Sequence, residues 1–182
     1  MQTFPITFSD EMIKAVHAGL KTQTRRVIKP QGKRKLEDCP FGGPGDFLFC
    51  REEIIAIPRI DGRDKIVGFY SDKAPFVDDE GQYVEWPFSA TWLRPREMPL
   101  RFCRTALKII DVRVEKLHDI SENDCKAEGV PGKWAFDEDV ADDGLKYSEN
   151  FQNLWNAING RRGHEWETNP YVWVIEFEKV SL

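Results

Sequence analysis

ALKIIDVRVEKL (106–117) is the clearest long-strand signal in the chain, with Leu107, Ile109, Val112 and Val114 as the inward-facing set. The alternation changes phase near Ile110, which marks a bulge or a strong twist. Just beyond it, ISENDCKAEGV (120–130) carries Ser121 three residues before Asp124, a capping-box spacing, and Gly129 as a helix stop, so a short helix follows the strand. After a Gly-containing, acidic loop, SENFQNLWNAING (148–160) places Phe151, Leu154, Trp155 and Ile158 on one helical face, starting at Ser148 and ending at Gly160. The last strand, YVWVIEFEKV (171–180), sets Tyr171, Trp173, Ile175 and Phe177 against Val172, Val174, Glu176 and Glu178, and closes the sheet.

Upstream of the long strand the signals are shorter. PITFS (5–9) reads as a strand, and a helix starts at Ser9 or Asp10 with Ile13, Val16 and Leu20 on one stripe and Gly19 as its stop. GDFLFCRE (45–52) is a turn feeding a buried strand, and EIIAI (53–57) continues the apolar run past a bend. Residues 58–100 hold prolines at 58, 75, 87, 95 and 99 and one strand signal, IVGFYS (66–71). They read as an excursion with a hairpin that decorates the main structure.

With 182 residues, 41% apolar and 31% charged, the chain can bury a core without disulfides or metal, which excludes a disordered, collagen-like or coiled-coil protein. The expected organisation is one domain over 1–182, with the excursion at about 58–100 and an acidic loop at about 131–147. No apolar run reaches the roughly 18 to 20 residues of a membrane span, and MQTFPITFSDEM lacks the blocks of a signal peptide, so a cytoplasmic protein with no membrane partner is expected. Cys39, Cys50, Cys103 and Cys125 show no CxxC pair and no zinc-ligand spacing with histidine, and read as reduced, mostly packed thiols.

The net charge of −5 is unevenly spread. No acid lies between Glu11 and Glu37, while eight cations do: Lys14, Lys21, Arg25, Arg26, Lys29, Lys33, Arg34 and Lys35. Such polarity favours a local anion site or a small ligand over a broad, sequence-independent grip on nucleic acid. Within that stretch AGLKTQTRR (18–26) is a helix end followed by a lysine, two threonines and two arginines. A helix C-terminus attracts cations, which explains Lys21 but not the threonines; Glu128, in the last turn of its own helix, is repelled there, and a cation such as Lys21, or exposure to water, would offset that.

Five motifs in order, ITF (6–8), AGLKTQTRR (18–26), GDFLFCRE (45–52), KAEGV (126–130) and VIEF (174–177), resemble the pattern of ASCH-domain proteins of the PUA-like superfamily. The tail FQNLWNAINGRRG…NPYVWVIEFE is similar to that of the longer ASCH proteins of phage and prophage genomes. The resemblance implies an α+β, mainly β fold: a PUA-like β-barrel or pseudobarrel of about six strands with about three flanking helices. It also implies a site like that of the compact bacterial amidohydrolases that act on N4-acylated cytidine, with Lys21, Thr24 and Glu128 as catalytic residues and no metal or cofactor. Arg26 matches the arginine that closes the motif, and Arg25 and Thr22 beside it complete the expected substrate-binding set. The implied partner is a modified nucleoside or RNA; an RNA-binding or ribonuclease module without amidase activity is the competing reading.

These residue types suit amide cleavage, which needs a nucleophile, a base and an acid for the departing amine. Thr24 supplies a hydroxyl as nucleophile or positions a water; Lys21 is either the base, when neutral, or a charged stabiliser of the oxyanion; Glu128 carries the proton or keeps Lys21 charged. In a regular strand Lys21 and Thr24 face opposite sides, so a turn or bulge over 21–24 at the barrel mouth is expected. Trp86, Trp92, Trp134 and Trp166 lie in loop-like regions and are candidates for stacking on a base, Trp155 and Trp173 belong to the core, and His17, His118 and His164 are structural or surface residues.

Overall fold

The computed structural model describes residues 1–32, 34–59, 62, 64–130 and 147–180; Lys33, Trp134 and 131–146 of the acidic loop lie outside the described residues. β1 (Thr3–Thr7), β2 (Gln23–Val27), β3 (Phe47–Arg51), β7 (Ala106–Lys116) and β8 (Tyr171–Val180) form one five-stranded sheet in the order β1-β3-β7-β8-β2. β4 (Ile54–Pro58), β5 (Lys65–Phe69) and β6 (Trp92–Leu93) form a second sheet of three. Three α-helices complete the described elements: α1 (Asp10–His17), α2 (Glu122–Ala127) and α3 (Tyr147–Asn159). The mixed, mainly β character is the one the sequence implies.

The strands carry apolar residues on both faces, and each face has its own cover. Trp173, Ile175 and Phe177 of β8 join Leu107, Ile109 and Val112 of β7, Leu48 and Cys50 of β3 and Ile13 and Val16 of α1 in one buried cluster. Val172 and Val174 point the other way, onto Phe151 and Trp155 of α3 and Cys125 of α2. Each such fully buried side chain contributes about 1.5–3 kcal/mol, so α3 is held chiefly by its apolar face. The register between β7 and β8 shifts between Ile109 and Asp111, the bulge expected near Ile110. β1 and β2 are the sheet's two edges, and the Arg26 guanidinium of β2 donates to the Thr7 carbonyl of β1 at 2.7 Å, a side-chain tie between them.

Local signals placed the helices well, with three corrections. Ser9 caps α1, its hydroxyl accepting from Met12 N, and Gly19 ends the turn at φ +73°. Leu20 lies beyond the helix and is two-thirds exposed, so the buried stripe is Met12, Ile13, Ala15 and Val16. Ser121 and Asp124 form the expected capping box. α3 ends at Asn159, as Gly160 predicts, and the correction lies just beyond: a 3-10 turn over Gly160–Arg162 follows it, closed by Gly163 at φ +75°. The strand expected at 5–9 is Thr3–Thr7, because Ser9 is taken by the helix cap.

The excursion does more than decorate. Its sheet buries Ile54, Val67, Phe69, Met98 and Phe102 in a cluster of their own. Its base is clamped where it leaves and rejoins the main sheet: Arg104 donates to both oxygens of buried Glu52, at 2.9 and 2.6 Å, and to Asp72 at 2.8 Å. Cys39, Cys50 and Cys125 are buried and Cys103 half-buried, all as free thiols. Among the described residues no helix is long and apolar enough to cross a membrane.

Candidate functional site

A cavity of about 550 Å³ opens between the start of α1, β2, the end of α2 and the apolar face of α3. Lys21, Thr24, Arg25, Arg26 and Glu128 all line it. β2 pairs only with β8, and the ladder takes Thr22 O, which accepts from Phe177 N. By alternation the Gln23 carbonyl points away from β8, toward the cavity.

The expected turn over 21–24 is absent. The chain reverses earlier, at Ala18 and Gly19, where Leu20 N and Lys21 N both donate to Ala15 O, at 2.9 and 3.1 Å. From Thr22 the backbone is extended. Lys21 and Thr24 nevertheless meet the same cavity, because the long lysine side chain does what a backbone turn would have done. Its Nζ donates at 2.8 Å to the carbonyl of Gln23, the residue before Thr24.

Two further bonds from Nζ go to Glu128, one to its carbonyl at 2.7 Å and one to Oε2 at 2.8 Å. The lysine thereby satisfies both an orphan carbonyl of the helix end and the carboxylate which that end repels. Lys21 is 4% exposed and Glu128 5%, so this is a buried ion pair. Burial pushes the Lys21 ammonium below its ordinary value, and Glu128 pulls it back up. Three acceptors around Nζ match the three hydrogens of the charged form.

Gly129 makes the approach feasible. It sits just past the helix end at φ +77°, and a Cβ there would stand 2.8 Å from Lys21 Cβ and 3.0 Å from Ala15 Cβ. Gly129→Ala therefore combines left-handed strain with overpacking, and we expect a loss of about 2 kcal/mol. At this chain length that lowers the melting temperature by about 4–8 °C in a thermal denaturation scan.

Behind the pair lies Arg25, whose side chain is almost wholly buried. It donates to Gln23 Oε1, to Glu128 Oε1 at 3.3 Å and to Glu115 Oε2 at 3.2 Å, and lies 3.5 Å from Asp124 Oδ2. Arg113 joins Asp124, Glu115 and Glu176 to the same network. Burial alone would raise the Asp124 carboxyl, but hydrogen bonds from Ser121 and Gln23 and the charge of Arg25 hold it down at about 2. Arg25, expected to bind substrate, thus lines the cavity and also braces Glu128.

Thr24 is 4% exposed, and its hydroxyl has no hydrogen-bond partner among the described residues. Arg26 and Lys21 stand on the Phe8 ring, 5.3 and 5.4 Å from its centroid. Burial lowers the Arg26 guanidinium's pKa; Glu128 opposes this and Arg162 adds to it. Thr22 is exposed and does not line the cavity, so the structure leaves it outside the site.

None of the three described tryptophan candidates lines this cavity. Trp86 packs in the cluster of the second sheet, Trp92 is on β6 and Trp166 packs beside α3. The aromatic lining comes instead from Phe8, Phe41, Phe151 and Trp155. Trp155 and Trp173 are buried, as expected of core residues. His164, expected to be peripheral, reaches the cavity rim, as do Lys29 and Arg162. RRG at 161–163 was the signal for Arg162, legible only with the position of the 3-10 turn.

No family model matches the sequence, and no curated protein matches it. Among solved structures the chain is similar to a protein from Enterococcus faecalis V583 described by the family DUF984, at 13% identity and a TM-score of 0.46, covering 100% of this chain and 82% of that one. It is likewise similar to an ASCH domain from Lactobacillus crispatus JV V101, at 10% identity and a TM-score of 0.46, covering 100% of this chain and 81% of that one.

Proposed function

We propose that this protein hydrolyses the amide of an N4-acylated cytosine nucleoside or a related modified nucleoside. The observation that carries the reading is the buried Lys21–Glu128 pair at 2.8 Å in a cavity that Thr24, whose hydroxyl has no partner among the described residues, also lines. A salt bridge with a purely structural purpose gains little from burial, since the desolvation cost offsets most of the attraction. In a cavity that Thr24 also lines, the same pair can serve as a proton store.

As drawn, Lys21 has no lone pair to offer. Transfer of one proton from Nζ to Oε2 gives a neutral amine and a neutral carboxylic acid, an exchange that burial favours because it removes two charges. The amine keeps its two hydrogens for the carbonyls of Gln23 and Glu128, and a small rotation about the Cε–Nζ bond turns its lone pair from Oε2–H to Thr24. The Thr24 oxygen then attacks the acyl carbon while its proton passes to Lys21. Collapse of the tetrahedral intermediate breaks the carbon–nitrogen bond, and the proton on Glu128 goes to the departing exocyclic nitrogen. Water next cleaves the acyl-threonine ester, giving its hydroxyl to the acyl group and a proton back to Thr24, and Lys21 and Glu128 return to their starting forms. The apolar wall of α3 lies opposite these groups and suits the face of a base.

The test is to give purified protein N4-acetylcytidine and follow cytidine by chromatography across pH. Cytidine release is expected. Its rate should fall as pH rises through a value below the ordinary lysine value of 10.5, since burial lowers Lys21 and loss of the shared proton leaves Glu128 with none to give the departing nitrogen. Absence of release over that range contradicts the proposal.

A further inference from the structure

We propose that the mouth of the cavity holds a phosphate group, so that the ligand is a nucleotide, free or chain-linked, and not a bare nucleoside. This rests on the nucleoside reading above and names its substrate class. The argument is one of unmatched charge. Arg26 gives a single described hydrogen bond, to the Thr7 carbonyl, and its Nε is buried without a partner. Arg162, brought to the same cavity by the turn after α3, and Lys29, just past the end of β2, have no hydrogen bond or ion pair among the described residues. Glu128 is the one carboxylate among the described lining residues, and Lys21 and Arg25 already occupy it.

Three cations therefore converge on one opening without a described counter-charge, in a chain whose net charge is −5. Arg26 is half-buried with its Nε fully covered, and a guanidinium held there with an idle N–H is best completed by an anion. Its planar fork matches two oxygens of a phosphate, and Arg162 and Lys29 add charge from the rim. With the phosphate at this mouth, the base would lie along the apolar face of α3.

The experiment is calorimetric titration of the full chain with cytidine 5′-monophosphate and with cytidine. The monophosphate should bind at least about tenfold tighter, with an advantage that shrinks as salt is raised. In Arg162→Gln, an exposed substitution that leaves the core untouched, the two affinities should come within about threefold. Arg26→Gln should do the same, with a melting scan confirming that it folds. Equal affinities in the wild type, no binding of the monophosphate, or an advantage that survives both substitutions overturns the proposal.

A short cytidine-containing oligoribonucleotide without terminal phosphate separates the two sources. Arg162-dependent binding of it identifies a chain-linked phosphate; failure to bind it while the monophosphate binds identifies a free nucleotide. Tight monophosphate binding with no hydrolysis of either N4-acetylated substrate would refute the amidase reading and leave this site standing. Hydrolysis of both acetylated substrates at one rate, with equal affinities, would do the reverse.

Discussion

Lys21→Met is expected to lower the melting temperature by about 10 °C and to abolish hydrolysis. Methionine keeps much of the stem's volume but removes all three hydrogen bonds of Nζ, leaving the carbonyls of Gln23 and Glu128 and the Glu128 carboxylate short of a donor in a dry site. Breaking one side of a buried pair costs about 3–5 kcal/mol, because the remaining charge stays buried. Arg25, at 3.3 Å from Oε1, still compensates part of it, so the lower end of that range applies. For a chain of this length about 3 kcal/mol corresponds to about 6–12 °C. A variant that melts with the wild type would mean that Lys21 is not buried against Glu128.

Thr24→Ala is expected to do the opposite on one axis and the same on the other. The hydroxyl has no described partner, so its loss should change stability by no more than about 1 kcal/mol. Hydrolysis, by contrast, should fall by about a thousandfold or more, the scale on which removal of a nucleophile acts, and Thr24→Ser should keep measurable activity. Mass spectrometry of rapidly quenched wild-type turnovers should find the acyl group on the peptide containing Thr24. A loss within about tenfold, with no acylated peptide, would assign the attack to water and leave Thr24 to position it.

What the sequence disclosed was what local rules govern. Ser9 and Ser121 are caps because a hydroxyl at that spacing satisfies orphan amides, and the α3 stripe of Phe151, Leu154, Trp155 and Ile158 follows from helical period alone. The bulge at Ile110 showed as a change of phase. Long-range placement was harder. Residues 58–100 gave one strand signal, yet they supply both β5 and β6, which flank β4 in a three-stranded sheet with its own apolar cluster, because Ile54 and Phe102 meet only across the insertion.

The site divides along the same line. Lys21 and Glu128, 107 residues apart, were paired by the resemblance and by the awkward position of a glutamate at a helix end. The geometric objection to Lys21 and Thr24 assumed that backbone direction fixes where a charge lies, and it underrated four methylenes. Nothing in a sequence announces that Glu115 and Asp124 stand behind Arg25. Phe8 and Arg162 were missed since each reaches the cavity through an irregular segment.

Lys21 and Glu128 are proposed to act on the reacting amide as one proton-carrying unit. This is tested most directly by measuring the rate of cytidine release from N4-acetylcytidine for Lys21→Met, for Glu128→Gln and for the double variant. Groups that share one proton should lose the reaction together, so the double variant should be no slower than the worse single one. Losses that multiply, or a single variant that turns over at the wild-type rate, would contradict it.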